Sequence, residues 1–133
     1  MVARQTRFVF PAATDRERVL ESARACFVRV QAAWDDADIE TLRAHTTPEM
    51  LRELLDELPR SDPLRSRTEL RRLDAALLGC EELGVRYVAS VEFSGLWCES
   101  AAEGVVPFRE LWMLTCVKGE TPDWRLARHQ ALI

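Results

Sequence analysis

Apolar residues in the first part of the chain recur every three or four positions. Val19, Leu20, Ala23, Phe27, Val30 and Trp34 form one such stripe, which predicts a helix with one buried face over about residues 15–36. Thr14 and Glu17 have the spacing of a capping box at its start, with Asp15 in the first turn. The run Asp35-Asp36-Ala37-Asp38 ends this helix, and Asp38 caps a short second one that reaches Arg43. Thr47-Pro48-Glu49 starts a third: threonine caps, proline takes the first helical position, and glutamate suits the positive helix end. Met50, Leu51, Leu54, Leu55 and Leu58 supply its stripe, Pro59 stops it, and residues 60–67 read as a polar linker. From Thr68 the period changes to two. Residues 70–83 form an irregular strand, turned by Gly84. Val85, Tyr87, Ala89, Val91, Phe93 and Trp97 then alternate with Arg86, Ser90, Glu92 and Ser94 in a half-buried second strand. Residues 99–104 are a loop. A third strand spans 105–117, with Phe108, Glu110, Trp112 and Leu114 on one face. Gly119 and Pro122 mark the turn before a last strand over 124–133.

Helices followed by a strand meander mean an α+β fold. One face of a curved antiparallel four-stranded sheet needs covering, and three amphipathic helices are the cover. The expected body is a cone closed around the first helix, with residues 1–13 as an N-terminal arm and 14–133 as one domain. Phe8-Val9-Phe10-Pro11 makes that arm an apolar strap or a partner contact. The hollow between helix and sheet is expected to be lined by Phe27, Trp34, Met50, Leu54, Phe93, Trp112 and Trp124. The plainer reading of these side chains is a packed core.

Composition narrows the class. The chain has 133 residues, 47% hydrophobic and 30% charged, which is enough to bury a core and excludes disorder. No apolar run approaches the roughly 20 residues of a membrane-crossing helix. Residues 1–11 carry two arginines but no apolar core followed by small residues, so they do not read as a signal peptide. The net charge of −4 argues against nucleic acid as a partner. The charge is uneven, however. Residues 1–34 hold six arginines against three acids, whereas residues 35–57 hold eight acids against two arginines. Arg16, Arg18, Arg24 and Arg29 thus put a basic block on the first helix of an acidic protein. Cys26, Cys80, Cys98 and Cys116 have no CxxC spacing, which speaks against zinc. Along the predicted meander Cys98 and Cys116 stand too far apart for a disulfide. Buried thiols and a reducing, cytoplasmic compartment are expected.

Catalytic chemistry has few candidates. His45, just ahead of the third helix, reads as a capping or solvent-facing residue. His129 would act as an acid or base if it met Glu110 or Asp74 inside the cone. Asp35, Asp36 and Asp38 resemble a metal cluster but serve better as helix-ending and capping residues. No phosphate loop, nucleophile elbow or HExxH is present, and no cofactor is implied.

Four segments taken together are more specific. Phe27-Val28-Arg29-Val30-Gln31-Ala32-Ala33-Trp34-Asp35 is followed by Asp38-Ile39-Glu40-Thr41-Leu42-Arg43. Thr46-Thr47-Pro48-Glu49-Met50 comes next, then Glu110-Leu111-Trp112 with Trp124-Arg125-Leu126-Ala127 and Gln130. In that order and spacing they resemble the Tim44-like domain family, in its bacterial branch, over about residues 15–133. The resemblance implies a cystatin-like, nuclear-transport-factor-two-like fold and a non-enzymatic role. The mitochondrial founding member is a peripheral scaffold of the inner-membrane protein translocase that associates with acidic lipid. Family members have a large apolar pocket and touch membranes through the first helices, which here carry Arg16, Arg18, Arg24 and Arg29. A basic amphipathic helix suits an anionic surface. The implied partners are a protein, an anionic lipid or an apolar small molecule, with a location peripheral to the inner membrane; an open sheet edge also admits a homodimer. Ala127-Arg128-His129-Gln130 departs from the family, which usually has a glycine and an aliphatic residue there. The alternative is an isomerase, dehydratase or hydrolase of the wider superfamily using a histidine–carboxylate pair.

Overall fold

The computed structural model describes residues 8–58, 67–99 and 103–133. The Pro59 stop, most of the expected linker, the front of the arm and the middle of the 99–104 loop lie outside these residues. Within them the order is α1 (Arg16–Asp36), α2 (Ile39–His45), α3 (Pro48–Glu57), then β1 (Glu69–Leu83), β2 (Arg86–Cys98), β3 (Val106–Val117) and β4 (Arg125–Ala131). The strands pair in chain order as an antiparallel meander, β1-β2-β3-β4. This is the α+β arrangement that the two periodicities imply.

Local chemistry sets the boundaries. α1 is capped by Asp15, whose carboxylate accepts from the Arg18 N–H at 3.0 Å, and not by Thr14 as the capping-box spacing suggests. An ionised side chain one residue further on is the stronger acceptor at a helix N-terminus. Ala37 ends α1 in the left-handed region (φ 53°), with the Asp38 N–H donating to the Ala33 carbonyl at 2.8 Å. Asp38 then caps α2 by accepting from the backbone N–H and hydroxyl of Thr41. These bonds hold its carboxyl below the usual carboxylate range. Thr47 caps α3, its hydroxyl accepting from the Met50 N–H, with Pro48 in the first position.

Gly84 and Val85 form the two-residue turn between β1 and β2. Val85 is therefore 70% exposed, where alternation had placed it on the buried face. The irregularity expected in β1 takes the form of bulges between Leu70 and Arg72 and between Leu77 and Gly79.

The core sits where α1 crosses the inner face of the sheet. Phe27 is its hub, with ring centroids 4.6 Å from Phe93, 4.8 Å from Trp112 and 5.7 Å from Phe108. Val19, Leu20, Ala23, Cys26 and Val30 extend this packing along α1 onto Cys80, Ala89, Val91, Leu114 and Cys116 of the sheet. The four cysteines form no disulfide. Cys98 stands opposite Glu69 and Cys116 opposite Tyr87, at different ends of the ladder. Burial pushes the Cys26 thiol up to about 12 and those of Cys80 and Cys116 up to about 11. All three are thus neutral apolar filler.

Candidate functional site

A hollow of about 550 Å³ opens between the C-terminal half of α1, the end of α3 and the inner face of β2–β4. Its floor is apolar: Val30 and Trp34 from α1, Leu54 from α3, Trp112 from β3 and Leu126 from β4. Trp97 lines it from β2 and stacks on Phe108 with centroids 4.1 Å apart. Volume and lining are those of a small-molecule site or a pocket for one side-chain cluster. Val30, Gln31, Trp34 and Asp35 reach it because they occupy one edge of the helical stripe, a turn apart.

Polar groups surround this floor. Asp35, Glu57, Glu99 and Glu110 line the hollow with Gln31, Thr68 and His129. Asp35 is held by the Thr68 N–H, which donates to Oδ2 at 2.8 Å. Glu110 is held by the Trp112 indole, whose Nε1 donates to Oε1 at 3.0 Å. His129 arrives through a bulge. Leu126 pairs with Leu114 and Arg128 with Met113, which makes Ala127 an extra residue in β4. Strict alternation from Leu126 would bring Arg128 opposite Trp112 on the inner face. The extra residue places His129 there instead. His129 is mostly exposed, and none of the ion pairs among the described residues involves it.

The seven side chains expected to line the cone divide. Trp34, Leu54 and Trp112 line the hollow. Phe27, Phe93 and Met50 are at most 2% exposed and pack beneath it as core. Trp124 is buried elsewhere, where it lines a second, open depression of about 700 Å³ with Ala12, Arg18 and Pro122. Sequence reading missed Val30, Gln31, Asp35, Glu57, Thr68, Trp97, Glu99, Leu126 and Ala131 as lining. Asp35, Glu57, Trp97 and Ala131 lie at or near the ends of their elements and Thr68 and Glu99 just outside theirs, so much of the hollow comes from element ends that converge in space.

The remaining candidates serve structural tasks. Asp74 faces away and pairs with Arg72 at 2.8 Å. Asp35, Asp36 and Asp38 are split among Thr68, Arg67 and the α2 cap, and no group of metal-ligating residues occurs among the described ones. His45 is partly buried at the end of α2, where desolvation and then Arg29 lower its pKa. Its carbonyl accepts from the Cys26 thiol at 3.6 Å. Arg16, Arg18 and Arg29 are exposed and Arg24 partly so. Arg16 lies over the Phe8 ring at 4.4 Å and Arg18 donates to the Ala13 carbonyl. Glu17 and Glu21 stand among these arginines on the same exposed side of α1.

Comparison with known proteins agrees with this geometry. The model of the Tim44-like domain family matches residues 10–131. Among solved structures the fold is similar to the intermembrane space region of the chloroplast protein ARC6. That likeness has a TM-score of 0.56 at 15% identity and covers 90% of this chain and 98% of that one. At this identity the likeness concerns the fold alone. Comparison with curated proteins gives no match.

Proposed function

This chain belongs to the Tim44-like domain family, and on that premise we propose that it is a non-enzymatic binding module that docks an apolar group in its cone. The carrying observation is the hollow of about 550 Å³ floored by Val30, Leu54, Trp112 and Leu126. Burying a chain of methylenes on such a floor contributes about 0.8 kcal/mol for each CH₂, so an eight-carbon chain supplies about 6 kcal/mol, binding of roughly tens of micromolar at the tightest. The occupant is an acyl or alkyl group of a lipid, a small molecule or a protein partner. Four tryptophans, three of them lining the hollow, give a direct readout. Titration with 1-octanol should change their emission saturably, and the response should vanish in Leu54→Arg. A non-saturating response identical in both proteins would end this reading.

The finer part of the proposal concerns α1. Arg16, Arg18, Arg24 and Arg29 bring the domain to an anionic membrane surface, each adding favourable Coulomb energy near it. No helix among the described residues is long and apolar enough to cross a membrane, so any membrane contact through helices would be peripheral. Flotation with anionic and with neutral vesicles tests it. Binding to the anionic vesicles alone is expected, and equal absence from both removes the membrane contact while leaving the pocket.

A further inference from the structure

We propose that the hollow selects an amphiphile with a cationic nitrogen head, an alkylamine or quaternary alkylammonium, over a fatty acid of the same length. This rests on the reading of the hollow as a binding pocket and names the chemistry of its occupant.

The inference comes from the sign of the lining charge. Asp35, Glu57, Glu99 and Glu110 contribute four carboxylates. Among the described residues no lysine or arginine lines the hollow, and His129 is the single group there that can become a cation. Of the arginines next to lining residues in the chain, Arg67 is engaged with Asp36 at 2.9 Å, Arg109 with Glu92 at 3.1 Å and Arg125 with Asp123 at 3.0 Å, and none of these, nor Arg29 or Arg128, lines the hollow. Among the described residues, Asp35 accepts from Thr68 at Oδ2 and Glu110 from Trp112 at Oε1, so the other oxygen of each carboxylate is the one that meets a ligand. An anionic head entering this ring would meet like charges next to an apolar, weakly screening floor. A cationic head would meet opposite charges and the indole faces of the lining, which attract a positive nitrogen. Quaternary ammonium suits this combination best. It demands no directed hydrogen bond, and its methyl groups tolerate the apolar wall.

Three eight-carbon ligands separate the possibilities: octyltrimethylammonium, 1-octanol and octanoate, each titrated calorimetrically at low and at high salt. The expected order is ammonium, then alcohol, then carboxylate. The ammonium should bind about tenfold more tightly than the alcohol at low salt, with the gap narrowing as salt rises. Glu57 and Glu99 are both exposed, so the double variant Glu57→Gln with Glu99→Gln keeps the fold. It should lose most of the advantage of the ammonium over 1-octanol. Equal affinity for the three ligands, or octanoate binding tightest, would overturn the charge selection and leave the apolar pocket standing. Binding of none of them would remove the pocket reading as well.

Discussion

Gly95 illustrates how much one side chain decides in this fold. It lies in β2 opposite Leu73, just past the bulge that lets β1 gain a residue between Leu70 and Arg72. A methyl group at Gly95 would sit 1.9 Å from the Arg72 carbonyl oxygen and 2.7 Å from its carbon. Both atoms are backbone, so no side chain can swing aside. Gly95→Ala must therefore separate β1 from β2 or flatten the bulge. The expected loss is at least about 2 kcal/mol, at the severe end for a single methyl. Urea unfolding checks it: an unchanged midpoint would mean that the strands do not approach so closely. The bulged strand also explains why sequence reading registered β1 as irregular without locating the cause. Arg71 and Leu78 break the alternation by position, and nothing in their chemistry distinguishes them from ordinary strand residues.

Among elements, the joint between α1 and α2 is where sequence and structure differ most usefully. The Asp38 cap of α2 was visible as a residue type and Thr47-Pro48 starts α3 as its chemistry requires, whereas the α1 cap lies on Asp15 and not on Thr14, where the spacing put it. The left-handed residue between α1 and α2 was not visible, because it is Ala37 and not glycine. An alanine at φ 53° costs energy that glycine avoids. Ala37→Gly is expected to raise stability by roughly 0.5–1 kcal/mol, read as a higher urea midpoint with an unchanged slope. A lower midpoint would show that the methyl packs usefully at the joint. β4 teaches the complementary lesson. Its apolar pattern, Trp124 then Leu126, was legible, yet the Ala127 bulge that turns His129 and not Arg128 inward leaves no mark in composition or period. Bulges are fixed by pairing with another strand, and a single strand's sequence does not carry that partner. For the same reason the core stripe was readable from α1 alone. The rim of the hollow, drawn from Asp35, Glu57, Glu99 and Glu110 on four different segments, was not.

At the scale of the whole molecule, a four-stranded meander has two open edges, and this chain closes part of each with non-sheet backbone. On β4, Leu126 bridges to Thr46, and the Thr47 N–H donates to the Leu126 carbonyl at 2.9 Å, so the α2–α3 junction lies along that edge. On β1, Phe8 bridges to Cys80 and the Val9 N–H donates to the Cys80 carbonyl at 2.8 Å. Residues 8–13 are thus a strap over the β1 edge, anchored by Phe10 against the core, Arg16 over the Phe8 ring and Arg18 on the Ala13 carbonyl. This placement meets the strap expectation for Phe8-Val9-Phe10. It also gives the homodimer expectation a physical condition, since an uncovered edge offers unsatisfied backbone groups to a second chain. Deleting residues 1–10 removes the Phe8 and Phe10 contacts while leaving Asp15 to cap α1. Stability should fall by roughly 2 kcal/mol, the worth of one or two partly buried aromatic side chains. Analytical ultracentrifugation should then show concentration-dependent association of the shortened chain alone, through the bared β1 edge. Association that is just as strong in the intact chain would place the contact elsewhere, on the outer face of the sheet where Leu78 and Leu96 are exposed. A shortened chain that stays monomeric would mean that the arginines of β1, Arg71 and Arg72, keep the edge apart by charge without help from the strap.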